Sequence, residues 1–206
     1  MGNSKELPGD YRYVDANGDG IIDDNDRMPL FWSGTPLIHY GFNLEASWKN
    51  FDIYALLQGA GMYTVQFSEV YAEVLWSKGA NTPAYFYDRW RKEDPYNPNS
   101  KWVAGKWPAT RLIQDTGAMY KESNIWRRDA SYLRLKTLEL GYTLPDSILR
   151  KSGISNIRFY INGYNLLTFC DSFVKAFDPE KVEGSYSAGM NYPLTKSFNI
   201  GFTANF

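Results

Sequence analysis

The sequence predicts an all-β chain made of about five antiparallel strands of a transmembrane β-barrel, joined alternately by short turns and long loops. Three observations predict it. Strict two-residue alternation of apolar and polar side chains recurs in separate segments. The connections between those segments alternate in length. Aromatic residues make up 17% of the 206 residues, although the mean hydropathy is -0.45. A barrel wall combines these features because lipid-facing residues alternate with lumen-facing ones along every strand. A tyrosine-rich secreted β-sandwich shares the composition, so composition alone leaves both folds open.

The first strand begins at Leu37. Ile38, Tyr40, Phe42, Leu44, Ala46 and Trp48 share one face; His39, Gly41, Asn43, Glu45 and Ser47 share the other. A tight turn at Lys49-Asn50 leads to a second strand with Phe51, Ile53, Ala55 and Leu57 opposite Asp52, Tyr54 and Gln58, and the two read as a hairpin. The stretch from about Ala60 to Ala130 is irregular, with Pro83, Pro95, Pro98 and Pro108, and its residues Tyr85–Lys92 predict a short helix ending before Asp94-Pro95. Loops of that length are usually functional. Regular structure resumes at Ser131. There Leu133 and Leu135 lie on one parity but Leu138, Leu140, Tyr142 and Leu144 on the other, so a β-bulge is expected near Thr137. After a compact connection from Pro145 to Gly153, a fourth strand sets Ile157, Phe159 and Ile161 against Arg158, Tyr160 and Asn162. The last strand carries Phe198, Ile200, Phe202, Ala204 and Phe206 on one parity. A terminal phenylalanine after alternating apolar residues is similar to the signal read by outer-membrane assembly machinery; Phe198, Ile200, Phe202 and Phe206 are the candidate residues.

Short links follow the first and third strands and long ones the second and fourth, which is the asymmetry of bacterial barrels between periplasmic turns and extracellular loops. With Phe206 periplasmic, the Ala60–Ala130 stretch, the Phe169–Leu194 loop and the N-terminal segment all fall outside. The organisation expected is an extracellular segment at 1–36 and barrel strands with their loops at 37–206. Trp48, Tyr142 and Phe206 are expected in the periplasmic interface belt, and Arg134 and Arg158 toward the lumen. Five strands are fewer than the eight of the smallest barrels, and an open sheet cannot span lipid, so the remaining strands are expected upstream of Met1. The lack of an apolar signal-peptide core in Met1–Pro8 points the same way.

Several function classes find little support. A formal net charge of -1 does not suit a nucleic-acid partner. No segment approaches the roughly 18 apolar residues of a spanning helix. Cys170 is the single cysteine and His39 the single histidine, and His39 sits in an alternating strand without a nucleophile motif around it. Paired carboxylates such as Glu69 and Glu73, or Asp88 and Glu93, have no fixed catalytic separation. The chain is read as non-enzymatic.

One motif carries site chemistry. Asp15-Ala16-Asn17-Gly18-Asp19-Gly20-Ile21-Ile22-Asp23-Asp24-Asn25-Asp26 fits a calcium-loop pattern, with side-chain oxygens from Asp15, Asn17 and Asp19 and a turn at Gly20. Ile21 offers its carbonyl, Asp23 a direct or water-mediated contact, and Asp26 takes the place where such loops prefer glutamate. Neither flank reads as a long helix. The expectation is a structural Ca²⁺ that pins an extracellular segment; the alternative is an Asx-rich turn without metal.

The run Gly9–Asp23 resembles a hallmark of SusC/RagA-type TonB-linked outer-membrane transporters of Bacteroidota. So do Ala130–Lys136 with Leu140–Pro145, Asn162–Thr168, Tyr192-Pro193 and the terminal Phe206, in the family's order. The resemblance implies a barrel of about 22 strands with a plugged lumen, of which this chain is roughly the last quarter. It also implies a SusD-like lipoprotein over the extracellular mouth and import of oligosaccharides or peptides powered through TonB. The plug and the TonB-contacting part would lie upstream, so this chain alone would not transport. The competing reading is a secreted calcium-dependent carbohydrate-binding β-sandwich, with Trp76, Trp90, Trp102, Trp107 and Trp126 stacking on sugars. It leaves the rhythm of connections unexplained.

Overall fold

The computed structural model describes residues 7–67, 82–110, 123–150, 153–180 and 191–206. Its strands, in chain order, are β1 (Ile38–Trp48), β2 (Phe51–Gly61), β3 (Thr64–Gln66), β4 (Arg91–Lys92), β5 (Trp102–Val103), β6 (Arg127–Asp129), β7 (Tyr132–Thr143), β8 (Asn156–Phe169) and β9 (Ser197–Asn205). Two one-turn helices, α1 (Asp146–Leu149) and α2 (Ser172–Lys175), follow β7 and β8. The described residues form two compact units, one drawn from Met1–Phe31 and Gln66–Arg127, the other from Trp32–Val65 and Arg128–Phe206.

The second unit is built on one antiparallel sheet in the order β1-β2-β7-β8-β9. Its five strands fall where alternation places them. Between β1 and β2 the chain reverses through Lys49, whose φ of 56° gives the left-handed backbone that tight hairpin turns need. Asn50 then locks the reversal to the next strand: its Nδ2 donates to the Thr143 carbonyl at 2.8 Å, and its own carbonyl accepts from Thr143 N–H at 2.8 Å.

The parity switch in β7 is a bulge, as expected. Leu57 pairs with Leu135 and Leu56 with Thr137, so Lys136 has no partner in that ladder. On the β8 side the same step skips Asn165 and Leu166, and Asn165 takes a φ of 55°. Without the extra residue, one half of β7 would turn its leucines to the wrong face.

In the first unit, the predicted helix over Tyr85–Lys92 is replaced by a 3-10 turn at Ala84–Asp88 followed by β4. Tertiary pairing explains the change. Trp90 N–H donates to the Trp107 carbonyl at 2.8 Å and Trp107 N–H to the Asp88 carbonyl at 3.0 Å, which draws the chain into extended pairing after one turn. Gly105 lies against the Arg89 backbone so closely that no Cβ would fit. The core of this unit is aromatic. Phe86, Trp107 and Trp126 are buried, with Trp107 and Trp126 stacked at 5.4 Å and Phe86 5.6 Å from Trp107. Short ladders here, β4 with β5 and elsewhere β3 with β6, are too brief for a sequence period to reveal.

Candidate functional site

Residues opposite one another in antiparallel strands share a face, so the register can be read as rows across all five strands. One row is Trp48, Phe51, Tyr142, Phe159 and Phe202. The next is Ala46, Ile53, Leu140, Ile161 and Ile200. Phe51 and Tyr142 are 4.7 Å apart by ring centroid, and Phe159 and Phe202 are 6.2 Å apart. Both rows stand on the same face near the short-turn end, and their side chains project outward: Ile200 is 87% exposed and Phe202 69%. An exposed apolar face of this extent suits a lipid-facing wall with an aromatic girdle. Of the residues expected in the interface belt, Trp48 and Tyr142 are in the aromatic row; Phe51, Phe159 and Phe202 complete it. Phe198, Ile200, Phe202 and Phe206, the proposed assembly-signal residues, are all exposed.

The opposite face is polar and cross-linked. At its short-turn end the Arg158 guanidinium reaches over Gly141 on β7 to the Asp52 carboxylate on β2. It also donates to Glu139 Oε1 at 2.7 Å. Asn162 Nδ2 donates to Glu139 Oε2 at 3.1 Å, and Asn199 Nδ2 to Asn162 Oδ1 at 2.9 Å, carrying the network to β9. A Cβ at Gly141 would meet the Arg158 and Asp52 head groups, which would have to shift.

At the long-loop end of the same face lies a second network that sequence reasoning missed. Arg134 and Asp178 are buried; Arg134 Nη2 meets Asp178 Oδ1 at 2.5 Å, Nη1 meets Glu180 Oε2 at 2.7 Å, and Nε donates to Thr168 Oγ1 at 3.0 Å. Lys136, the bulge residue, adds Nζ to Glu180 Oε1 at 2.7 Å. Asp178 also accepts from Leu194 N–H at 2.7 Å and Glu180 N–H at 3.0 Å, and the Tyr63 hydroxyl donates to the Pro179 carbonyl at 2.7 Å. The segment after β8 is thus folded inward and held to the sheet. Asp171 caps α2 by accepting from Phe173 N–H at 2.8 Å. Burial pushes the neighbouring Cys170 thiol up. Asp178 lies within the Phe169–Leu194 loop of the sequence, and nothing local there signals that Arg134, more than forty residues earlier, is its partner.

The calcium-loop residues form a closed, self-bonded turn in the first unit. Asp15 Oδ1 accepts from Gly18 N–H at 2.7 Å and its Oδ2 from Gly20 N–H at 2.8 Å. Asn17 Oδ1 accepts from Asp19 N–H at 2.9 Å, and Asp19 Oδ1 from Ile21 N–H at 2.7 Å. Asp26 ties the ends together, accepting from Ala16 N–H at 2.8 Å and Asp23 N–H at 2.7 Å; Asp23 caps the 3-10 turn Asp24–Asp26. The Asp23 N–H, and after it those of Ala16 and Asn17, hold the Asp26 carboxyl below the usual carboxylate range. The donor set is all oxygen, which suits a hard cation, and each carboxylate keeps unused lone pairs. Among the described residues, however, no three acidic, histidine or cysteine side chains are gathered closely enough to hold an ion in this conformation.

Other sequence candidates separate. His39 lies exposed on β1. Trp107 and Trp126 are buried against each other, which removes their faces from any ligand. Trp102 carries the Lys92 ammonium 4.7 Å from its ring centroid. Trp76, Glu69 and Glu73 lie outside the described residues.

No protein-family profile matches the chain. It is 32% identical over 210 residues to TonB-dependent receptor P3 of Formosa agariphila, covering 97% of this chain and 19% of that protein. With TonB-dependent receptor P26 of the same organism it is 30% identical over 217 residues, covering 98% of this chain and 20% of that protein. Over nearly its whole length the chain is similar to TonB-dependent receptors. It resembles the solved RagAB peptide transporter at a TM-score of 0.63 and 25% identity, over 88% of this chain and 19% of the solved one. The RagAB peptide importer in its closed-closed state gives a TM-score of 0.63 at 25% identity over 95% and 20%, and in its open-open state 0.58 over 85% and 18%. The chain spans about a fifth of the length of the receptors it matches. A receptor of this class is an outer-membrane protein.

Proposed function

We propose that this chain supplies five wall strands and the extracellular loops of a closed outer-membrane barrel that imports oligosaccharides or peptides, driven through TonB and capped by a SusD-like lipoprotein. The observation that supports it best is the pair of faces, one apolar in register across all five strands and one laced by charge networks, in a chain related to TonB-dependent receptors. The outer strands β1 and β9 each offer an edge to further strands, as closure in lipid demands. Short turns would face the periplasm and long loops the cell exterior. Transport would need the rest of the receptor. Peptide cargo is what the RagAB name states of that importer; oligosaccharide is the other member of the class. We further propose that the Asp15–Asp26 loop takes Ca²⁺ weakly through Asp15, Asn17, Asp19, the Ile21 carbonyl, Asp23 and Asp26, to stiffen an extracellular segment.

The test compares Phe202→Arg with Thr203→Arg in the whole receptor, since these neighbours point to opposite faces. An arginine on the lipid face costs up to about 2–4 kcal/mol at mid-depth and less near the interface. Phe202→Arg should lower the amount of heat-modifiable barrel in the outer membrane, and Thr203→Arg should leave it near wild type. Equal losses would sink the assignment of faces. Uptake of labelled peptides against labelled oligosaccharides by cells carrying the receptor decides the cargo.

A further inference from the structure

The apolar face holds a groove of about 510 Å³ at its short-turn end. One wall is the aromatic row from Trp48 to Phe159, the other the aliphatic row from Ile53 to Ile200, and Ala46 leaves the space open on β1. Its volume falls within the range of small-ligand sites, roughly 300–1,000 Å³. Where it crosses β2, β7 and β8, the backbone groups are committed to ladders on both sides, so no strand of another protein can add there. Its lining is apolar, which suits a hydrocarbon chain. At the rim, Lys49 occupies the hairpin turn, exposed, with Nζ 4.7 Å from the centroid of the Trp48 ring that walls the groove. Arg150 adds a second exposed cation in the connection at the same end of the sheet, and Asp146 an exposed carboxylate.

From this juxtaposition of apolar groove and cationic rim we infer that the receptor holds one glycerophospholipid of the periplasmic leaflet, an acyl chain in the groove and its phosphate at Lys49. This rests on the reading of the sheet as barrel wall. An interfacial cation near an anionic headgroup contributes about fivefold in affinity, while the groove selects the chain.

The test is native mass spectrometry of the whole receptor, delipidated in mild detergent and titrated with dioleoyl phosphatidylglycerol. One tightly retained lipid is expected. Ala46→Phe and Ile161→Trp, which fill the groove from different strands, should abolish retention, and Lys49→Gln should weaken it about fivefold. Leu167→Trp, on the apolar face outside the groove, should leave it unchanged. Equal retention by wild type and both filling variants would overturn the inference, as would full competition by glycerol phosphate without acyl chains. Heat-modifiability of each variant separates the causes. A band that shifts on heating while lipid retention fails to respond refutes the groove alone; a wild-type band that never shifts refutes the wall as well.

Discussion

The inward fold of the segment after β8 depends on one buried ion pair, and its removal gives a prediction of defined size. Arg134→Met keeps the hydrophobic stem and deletes the guanidinium, leaving Asp178 buried without its cation. Breaking a buried pair by removing one partner costs about 3–5 kcal/mol. Two features of the structure place the loss at the lower end. Asp178 keeps the N–H donors of Leu194 and Glu180, and Glu180 keeps Lys136. A loss of about 3 kcal/mol raises the open population of the segment roughly a hundredfold. Cleavage by trypsin after Lys175, within α2, reads that population when reclosing is fast. The rate should rise roughly a hundredfold in whole cells, while the barrel still shifts on heating. Because the pair is buried, 0.5 M salt should change the wild-type rate little. Arg134→Met combined with Asp178→Leu should recover much of the protection, since an apolar replacement removes the orphaned charge. An unchanged cleavage rate in Arg134→Met, or additive losses in the double variant, would refute the argument.

Gly141→Val should lower the thermal midpoint of the barrel, because its Cβ displaces the Arg158–Asp52 contact; overpacking of this kind costs about 1–3 kcal/mol, and scanning calorimetry of the detergent-solubilised receptor measures it. The Asp26 carboxyl contributes loop stability that is present at pH above the ordinary carboxylate value and lost as pH falls through its depressed folded value. Proteolysis after Arg27 should therefore rise only at strongly acidic pH, with an acid-active protease and the Asp26→Asn variant as comparison; a rise beginning near neutrality contradicts the assignment. Asp15→Asn with Asp19→Asn should abolish Tb³⁺ luminescence displaceable by millimolar Ca²⁺ if the loop binds the ion. A signal that survives both changes removes the loop as its source.

Much of the wall was legible in the sequence. Alternation located all five long strands and assigned each side chain its face, because the strand repeat is two residues and lipid and lumen demand opposite chemistries. The switch between Leu135 and Leu138 announced the bulge for the same reason. The helix expected at Tyr85–Lys92 failed because propensity is a local quantity, and the Trp90–Trp107 backbone pairing outweighed it. The tryptophans offered as sugar platforms include two that are core, a distinction that composition does not carry.

The sequence by itself determined the strand positions, the two faces and the likeness to TonB-dependent receptors. Only the tertiary structure decided which residues share a row and which charges meet. Asp52, Glu139 and Arg158 are scattered over more than a hundred positions, and Arg134 and Asp178 are separated by β8 and its turn. Register between strands fixes the first meeting and the fold of the segment after α2 onto the sheet fixes the second; no single strand encodes either.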